Sequence, residues 1–190
     1  MIKMKNIPNT LTISRILACP IWFALVFFNY HTSAFILVII ILFTDYLDGF
    51  LARKLNNLTV TGRILDPIAD KIFMTTILIT FTADNRASLV LVILLIVREI
   101  IISGLREILA VKGQSSILKV TFLSKIKTTF QFISIILLSL IPIIKDYKEN
   151  IEYIGSLFLL ISTILAIYTG YKYVILVIEN KDSLTSIKNE

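Results

Sequence analysis

Six apolar runs, each close to twenty residues long, divide this chain of 190 residues, and no other feature limits its fold so tightly. They cover approximately residues 8–29, 33–53, 64–82, 87–109, 125–144 and 152–178. A helix needs about 20 apolar residues to cross the hydrocarbon core of a bilayer. The composition agrees, with 56% hydrophobic and 17% charged residues and a mean hydropathy of +0.86. Soluble domains average roughly 45–50% apolar and about 25% charged residues. The expectation is an all-α integral membrane protein of six transmembrane helices. It forms a single domain over residues 1–190, with a short juxtamembrane segment at about 1–8 and a polar tail at about 179–190. The first run, ILACPIWFALVFF, is not followed by a small-residue cleavage site and reads as a retained anchor.

Charge sets the orientation. The short breaks NYHTS, TADNRAS and KDYKENIE hold only Arg86, Lys145 and Lys148, whereas the other 16 of the 19 Lys and Arg lie on or near the opposite side. Basic residues stay cytoplasmic, so both termini are expected inside a cytoplasmic (inner) membrane crossed several times. A net charge of +6 on so apolar a chain points to anionic lipid headgroups and topology, not to nucleic acid. Cys19 stands alone inside an apolar run, which excludes an internal disulfide and reads as a small core residue. His31, the only histidine, falls in NYHTS and reads as a solvated loop residue.

Against this background the stretch TDYLDGFLARKLNNLTVTGRILDPIADK is anomalous. It places Asp45, Asp48, Asp66 and Asp70 where one span ends and the next begins. Aspartate costs roughly 2.5–3.5 kcal/mol at the centre of a membrane helix, so such residues need partners or a wet cavity. Interfacial ion pairs with Arg53, Lys54, Arg63 or Lys71 are one solution. The spacing favours another. Asp45 and Asp48 are three apart and Asp66 and Asp70 four apart, so each pair shares a helix face. Two such pairs meeting at the inner interface repel unless cations lie between them. Carboxylate oxygens suit Mg²⁺ or Mn²⁺, and two such ions form the clamp used for displacement at phosphorus. Gly49, Ala52 and Gly62 leave room for a close ligand, and Arg53 offers a planar fork for phosphate. Pro67, directly after Asp66, suits the first turn of the third span, which would make Asp66 its N-cap.

Asp45-x2-Asp48-Gly49-x2-Ala52-Arg53-x8-Gly62-x3-Asp66-x3-Asp70 resembles the full signature of the CDP-alcohol phosphatidyltransferases, eight positions with fixed spacing. NIPNTLTISR, REIIISGLREILA and KIKTTFQ resemble the bacterial phosphatidylglycerophosphate synthase branch. The resemblance covers nearly the whole chain. It implies transfer of the phosphatidyl group of CDP-diacylglycerol to sn-glycerol 3-phosphate, with release of CMP, at an active site on the cytoplasmic side. It further implies a two-metal centre on the four aspartates and Asp70 as the base for the acceptor hydroxyl. CDP-lipid contacts are implied for Asn9, Thr10, Leu11, Thr12, Gly49, Ala52, Arg53, Thr59 and Gly62. Relatives of this kind imply a homodimer as the default assembly. Ser124 departs from the glycine common in the branch before KxKT.

The acceptor is a phosphate dianion and needs cations. Arg106, Lys125 and Lys127 are the expected contacts, while Arg98 followed by Glu99 reads as a buried ion pair that fixes its helix. The four aspartates do not separate this acceptor from serine, inositol or inositol phosphate. The basic cluster favours a phosphorylated one, and the branch resemblance favours glycerol 3-phosphate. An intramembrane Mg²⁺-dependent prenyltransferase would leave Gly-x-x-Ala-Arg unexplained. A transporter or channel would spread its acids through the membrane depth.

Overall fold

The computed structural model describes residues 7–55, 60–111, 113–114 and 121–179, with the backbone alone described at 7–12, 45–55 and 60–67. Six α-helices follow one another: α1 Ile7–Phe27, α2 His31–Leu55, α3 Val60–Ala83, α4 Leu89–Val111, α5 Phe122–Leu140 and α6 Lys148–Glu179. No strand occurs among the described residues. Each helix coincides with one apolar run of the sequence, as the length and hydropathy of those runs demand.

The chain forms two compact units, residues 1–86 with 135–152 and residues 87–134 with 153–190. In the first, α1 packs against both α2 and α3. Its centre is Trp22, Val38, Phe73, Ile77, Leu78 and Phe81, all fully buried. Trp22 meets Phe81 edge to face at 6.0 Å between ring centroids, a favoured aromatic geometry. In the second unit, Leu95, Ile102 and Leu109 recur every seventh residue along α4, and the last two pack with Tyr173 of α6. Beside Leu159 and Tyr173, the buried face of α6 is small or hydroxylated: Gly155, Ser162, Thr163, Ala166, Thr169 and Gly170. Small residues let helices approach closely where no water drives them together. Their hydroxyls bond back to the helix's own carbonyls, Ser162 and Thr163 to Leu159 and Thr169 to Leu165. An apolar interior therefore accepts them at little cost.

The outer faces are as apolar as the inner ones. Ile13, Leu17 and Ile21 form an exposed stripe on α1, and Val90, Leu94, Val97 and Ile101 another on α4. Helices apolar all round belong in a large core or in lipid. By length and composition, α5 and α6 are each sufficient to cross a membrane.

Three helices end in one way. In α1, α3 and α4 the chain turns left-handed at Asn29 (φ 62°), Asn85 (φ 57°) and Gly113 (φ 70°). The amides of Tyr30, Arg86 and Gln114 then reach back five residues to the carbonyls of Leu25, Phe81 and Leu109. These paired bonds satisfy carbonyls that a helix end leaves without donors. Asparagine and glycine tolerate the left-handed backbone that other residues resist. Replacing Asn85 with Val is expected to cost about 1–2 kcal/mol and to lower the melting temperature by about 2–4 °C per kcal/mol. Asn85→Gly should leave it unchanged or higher. Thermal unfolding of both variants checks this, and equal melting temperatures for the two would refute the role given to the turn.

Candidate active site

Helices α2 and α3 carry the acidic signature. Asp45 and Asp48 lie ten and seven residues before the end of α2, and Asp66 and Asp70 lie six and ten residues after the start of α3. At 1.5 Å per residue, both pairs stand about 10–15 Å in from the ends that the short connection joins. They are thus set at matched distances along consecutive helices. Pro67 does not open α3, because the helix begins seven residues earlier at Val60, and Asp66 is a helical residue and not an N-cap. A proline inside a helix forfeits one N–H bond and crowds the carbonyl four residues back, and α3 runs through Pro67 in spite of both. Gly49, Ala52 and Arg53 lie on α2 and Gly62 on α3. Asn9 to Thr12 lie in the first turns of α1. The side chains of these residues and of Asp45, Asp48 and Asp66 lie outside the described residues, as does Thr59.

Of the four signature aspartates, Asp70 is the one whose side chain is described. Its carboxylate is 43% exposed, and its Oδ1 accepts a hydrogen bond from Arg15 Nη1 at 2.5 Å. Arg15 is buried, at 5% exposure, and is the single charged residue of α1. This ion pair ties α1 to α3 and aims the carboxylate. One helical turn on, Cys19 Sγ bonds the carbonyl of Arg15, so Cys19 is buried as the sequence suggests. The spacing argument missed Arg15. The signal was available: a lone arginine within an apolar run has to find an acid.

The second unit holds a separate polar network. Arg98 donates from Nη1 to Glu99 Oε1 at 3.0 Å, from Nε to the Ala166 carbonyl at 2.9 Å and from Nη2 to Thr169 Oγ1 at 2.9 Å. The ion pair anticipated for Arg98 and Glu99 is therefore present, and it is anchored to α6. Gly170 leaves room for this arm, since a Cβ there would stand 3.1 Å from Arg98 Cγ, a tight contact. Lys127 is buried and donates to the same Glu99 oxygen. Lys125 is exposed, two residues away and hence on another face of α5. Arg106 is exposed and lies over the ring of Tyr173 at 5.6 Å.

Ser124 sits in the first turn of α5, where Thr121 Oγ1 accepts its amide at 3.3 Å in the manner of an N-cap. Its hydroxyl meets Tyr173 Oη at 3.0 Å, so the serine at this position is built into the helix start. His31 is not a solvated loop residue. It is the first residue of α2, half-buried, with Nδ1 enclosed. The sequence places it beside polar neighbours, but the turn at Asn29 folds it inward.

The carboxylates on α2 and α3 are oxygen donors of the type that hard divalent cations take. Asp70, half-exposed and oriented by Arg15, fits that use. Among the described residues, no three metal-ligating side chains cluster.

Comparison with known proteins agrees with the signature. The family model described as CDP-alcohol phosphatidyltransferase matches residues 5–169. A protein of Wigglesworthia glossinidia brevipalpis named CDP-diacylglycerol--glycerol-3-phosphate 3-phosphatidyltransferase is 38% identical over 175 residues, which cover 88% of this chain and 92% of that protein. Proteins of the same name from Rickettsia typhi and Shigella flexneri serotype 5b are 35% and 34% identical, covering 90% and 88% of this chain and 96% and 92% of their own lengths. With the match taking in α1 to α5 whole and about two-thirds of α6, the chain belongs to the CDP-alcohol phosphatidyltransferase family.

Proposed function

We propose that this chain transfers the phosphatidyl group of CDP-diacylglycerol to sn-glycerol 3-phosphate, forming phosphatidylglycerophosphate and CMP. The observation that carries the reading is the eight-residue signature on α2 and α3, with its two acidic pairs at matched distances from the connection between those helices. The acceptor follows from the name shared by relatives that align along almost their whole length. The six helices are six membrane spans in this reading, with both termini and the site on the cytoplasmic side of the inner membrane. The exposed apolar stripes of α1 and α4 support it, because water would penalise them. One substrate is a lipid and the other is fully water-soluble, which places the reaction at an interface.

Asp45, Asp48, Asp66 and Asp70 would hold two divalent cations, Mg²⁺ or Mn²⁺. When bound, these supply charge neutralisation for the pyrophosphate and the departing CMP. The residues of the chain do the rest. Arg53, with Gly49, Ala52, Thr59, Gly62 and Asn9 to Thr12, holds the nucleotide and diphosphate. Asp70 takes the proton of the acceptor's 1-hydroxyl, and its orientation comes from Arg15. The alkoxide oxygen attacks the phosphorus that carries diacylglycerol, in line with the departing CMP oxygen. Arg106, Lys125 and Lys127 meet the acceptor's phosphate.

Replacing Asp70 with Asn should lower kcat at least about 100-fold, the lower end for loss of a general base, while CDP-diacylglycerol still binds. Near-normal turnover at neutral pH would end the base assignment. Chelation with EDTA should abolish CMP release, and Mg²⁺ or Mn²⁺ should restore it; activity that survives chelation would remove the metals from the reading. With CDP-diacylglycerol and a divalent cation supplied, glycerol 3-phosphate should release CMP faster than serine, inositol or inositol phosphate. A reversed order would reassign the acceptor and leave the reaction class standing.

A further inference from the structure

Within the first unit, about 10 Å along α1 from Arg15, lies a small, partly open cavity of mostly apolar lining. Trp22 and Val26 of α1, His31, Ala34 and Phe35 of α2, Arg86 after α3, Ser139 of α5 and Pro142 line it. Three of these carry enclosed polar atoms without a protein partner: Trp22 Nε1, His31 Nδ1 and Ser139 Oγ. Trp22 and Ser139 are 1% and 5% exposed. A buried polar atom left without a partner costs about 1–3 kcal/mol, so three at one place call for an occupant. The cavity leaves about 10 Å³ to the centre of a water-sized sphere, room for one water.

We propose that this cavity binds a single water molecule that bridges α1, α2 and α5. The donor set fits. The indole N–H only donates, the serine hydroxyl does either, and the imidazole nitrogen does either according to tautomer. Charge separates water from an anion. Arg86 is the one full cation among the lining residues, and it is already engaged: it donates to Asp84, gives Nη1 to the Leu138 carbonyl at 3.2 Å and lies over the Phe81 ring at 4.7 Å. No unbalanced positive charge remains in the lining to recruit an anion.

The chain holds one tryptophan, so the indole N–H gives one signal and reports this cavity alone. In full-length protein labelled with ¹⁵N at tryptophan, that signal should show cross-relaxation with the water line, of the sign of a long-lived bound water. An absent cross peak overturns the site. A shift of the indole signal when chloride is exchanged for a larger anion overturns water in favour of halide. Trp22→Phe and Ser139→Ala should also be non-additive in melting temperature, because each removes one end of the same bridge; strictly additive shifts count against it.

A different observation carries a second inference, which rests on glycerol 3-phosphate being the acceptor. We infer that Glu99 is a positioning residue for the basic cluster. One of its oxygens accepts from both Arg98 and Lys127, and Arg98 is itself fixed to α6 by Ala166, Thr169 and the missing Cβ of Gly170. A lysine side chain has four rotatable bonds, and this shared carboxylate gives Lys127 its direction. Two cations on one carboxylate leave one net positive charge, the sign that a phosphate dianion requires.

Glu99→Gln should raise KM for glycerol 3-phosphate about tenfold or more, leave KM for CDP-diacylglycerol unchanged, and be partly rescued by Glu99→Asp. A merely structural role would lower the amount of active enzyme and leave both KM values alone, and that result overturns the inference. If the parent enzyme releases no CMP with glycerol 3-phosphate, the acceptor assignment fails first, and the two failures are told apart.

Discussion

Charge buried among apolar helices must be paired, and most of the specific structure of this protein follows from that constraint. An ion moved from water into an apolar interior loses several kcal/mol of solvation even after relaxation. Each buried cation with a described side chain answers this in its own way. Arg15 takes Asp70, Arg86 takes Asp84 and a carbonyl of α5, and Arg98 and Lys127 share Glu99. None of these pairs has to add net stability, because an apolar substitute often does as well. Their effect is on register. Arg15 sets α1 against α3, and Arg98 sets α4 against α6, at one rotation each. An apolar surface alone would tolerate several.

The rest of the packing accommodates those pairings. The face of α6 is made of glycine, alanine and hydroxyl residues because it must approach α4 closely enough for Arg98 to reach carbonyl 166. The hydroxyls on that face donate their hydrogen bonds to their own helix, and Thr169 also accepts one from Arg98. Tyr173 joins the apolar and polar parts of this unit. Its ring packs on Ile102 and Leu109 and lies beneath Arg106, while its hydroxyl reaches Ser124 at the start of α5. The ends of α1, α3 and α4 are closed locally by left-handed residues.

Function enters as a local exception to the same rule. Asp45, Asp48, Asp66 and Asp70 lie on consecutive helices at matched distances from their connection, and like charges brought together require counter-ions. Asp70 shows one part of the solution, a carboxylate oriented by a buried guanidinium on another helix.

Much of this was legible before any coordinates. Six helices, their approximate bounds, the acidic signature, the buried cysteine and the ion pair of Arg98 and Glu99 all follow from apolar run length and spacing, which are properties of the chain read in order. Local rules misled at Pro67, where a residue that favours helix starts sits inside α3, and at His31, where polar neighbours conceal an inward-facing ring. Spacing within one helix says nothing about which residue on another helix meets it. The partnership of Arg15 with Asp70, 55 positions apart, the sharing of Glu99 by Arg98 and Lys127, and the convergence of Trp22, His31 and Ser139 on one cavity were therefore decided only by tertiary packing. By itself the sequence determined the helices, the membrane-like apolarity and the chemical character of the site, because these depend on the kinds of residue and their period. Which charges pair, and which polar atoms share a cavity, depends on rotations and contacts between helices, and only the folded structure supplies those.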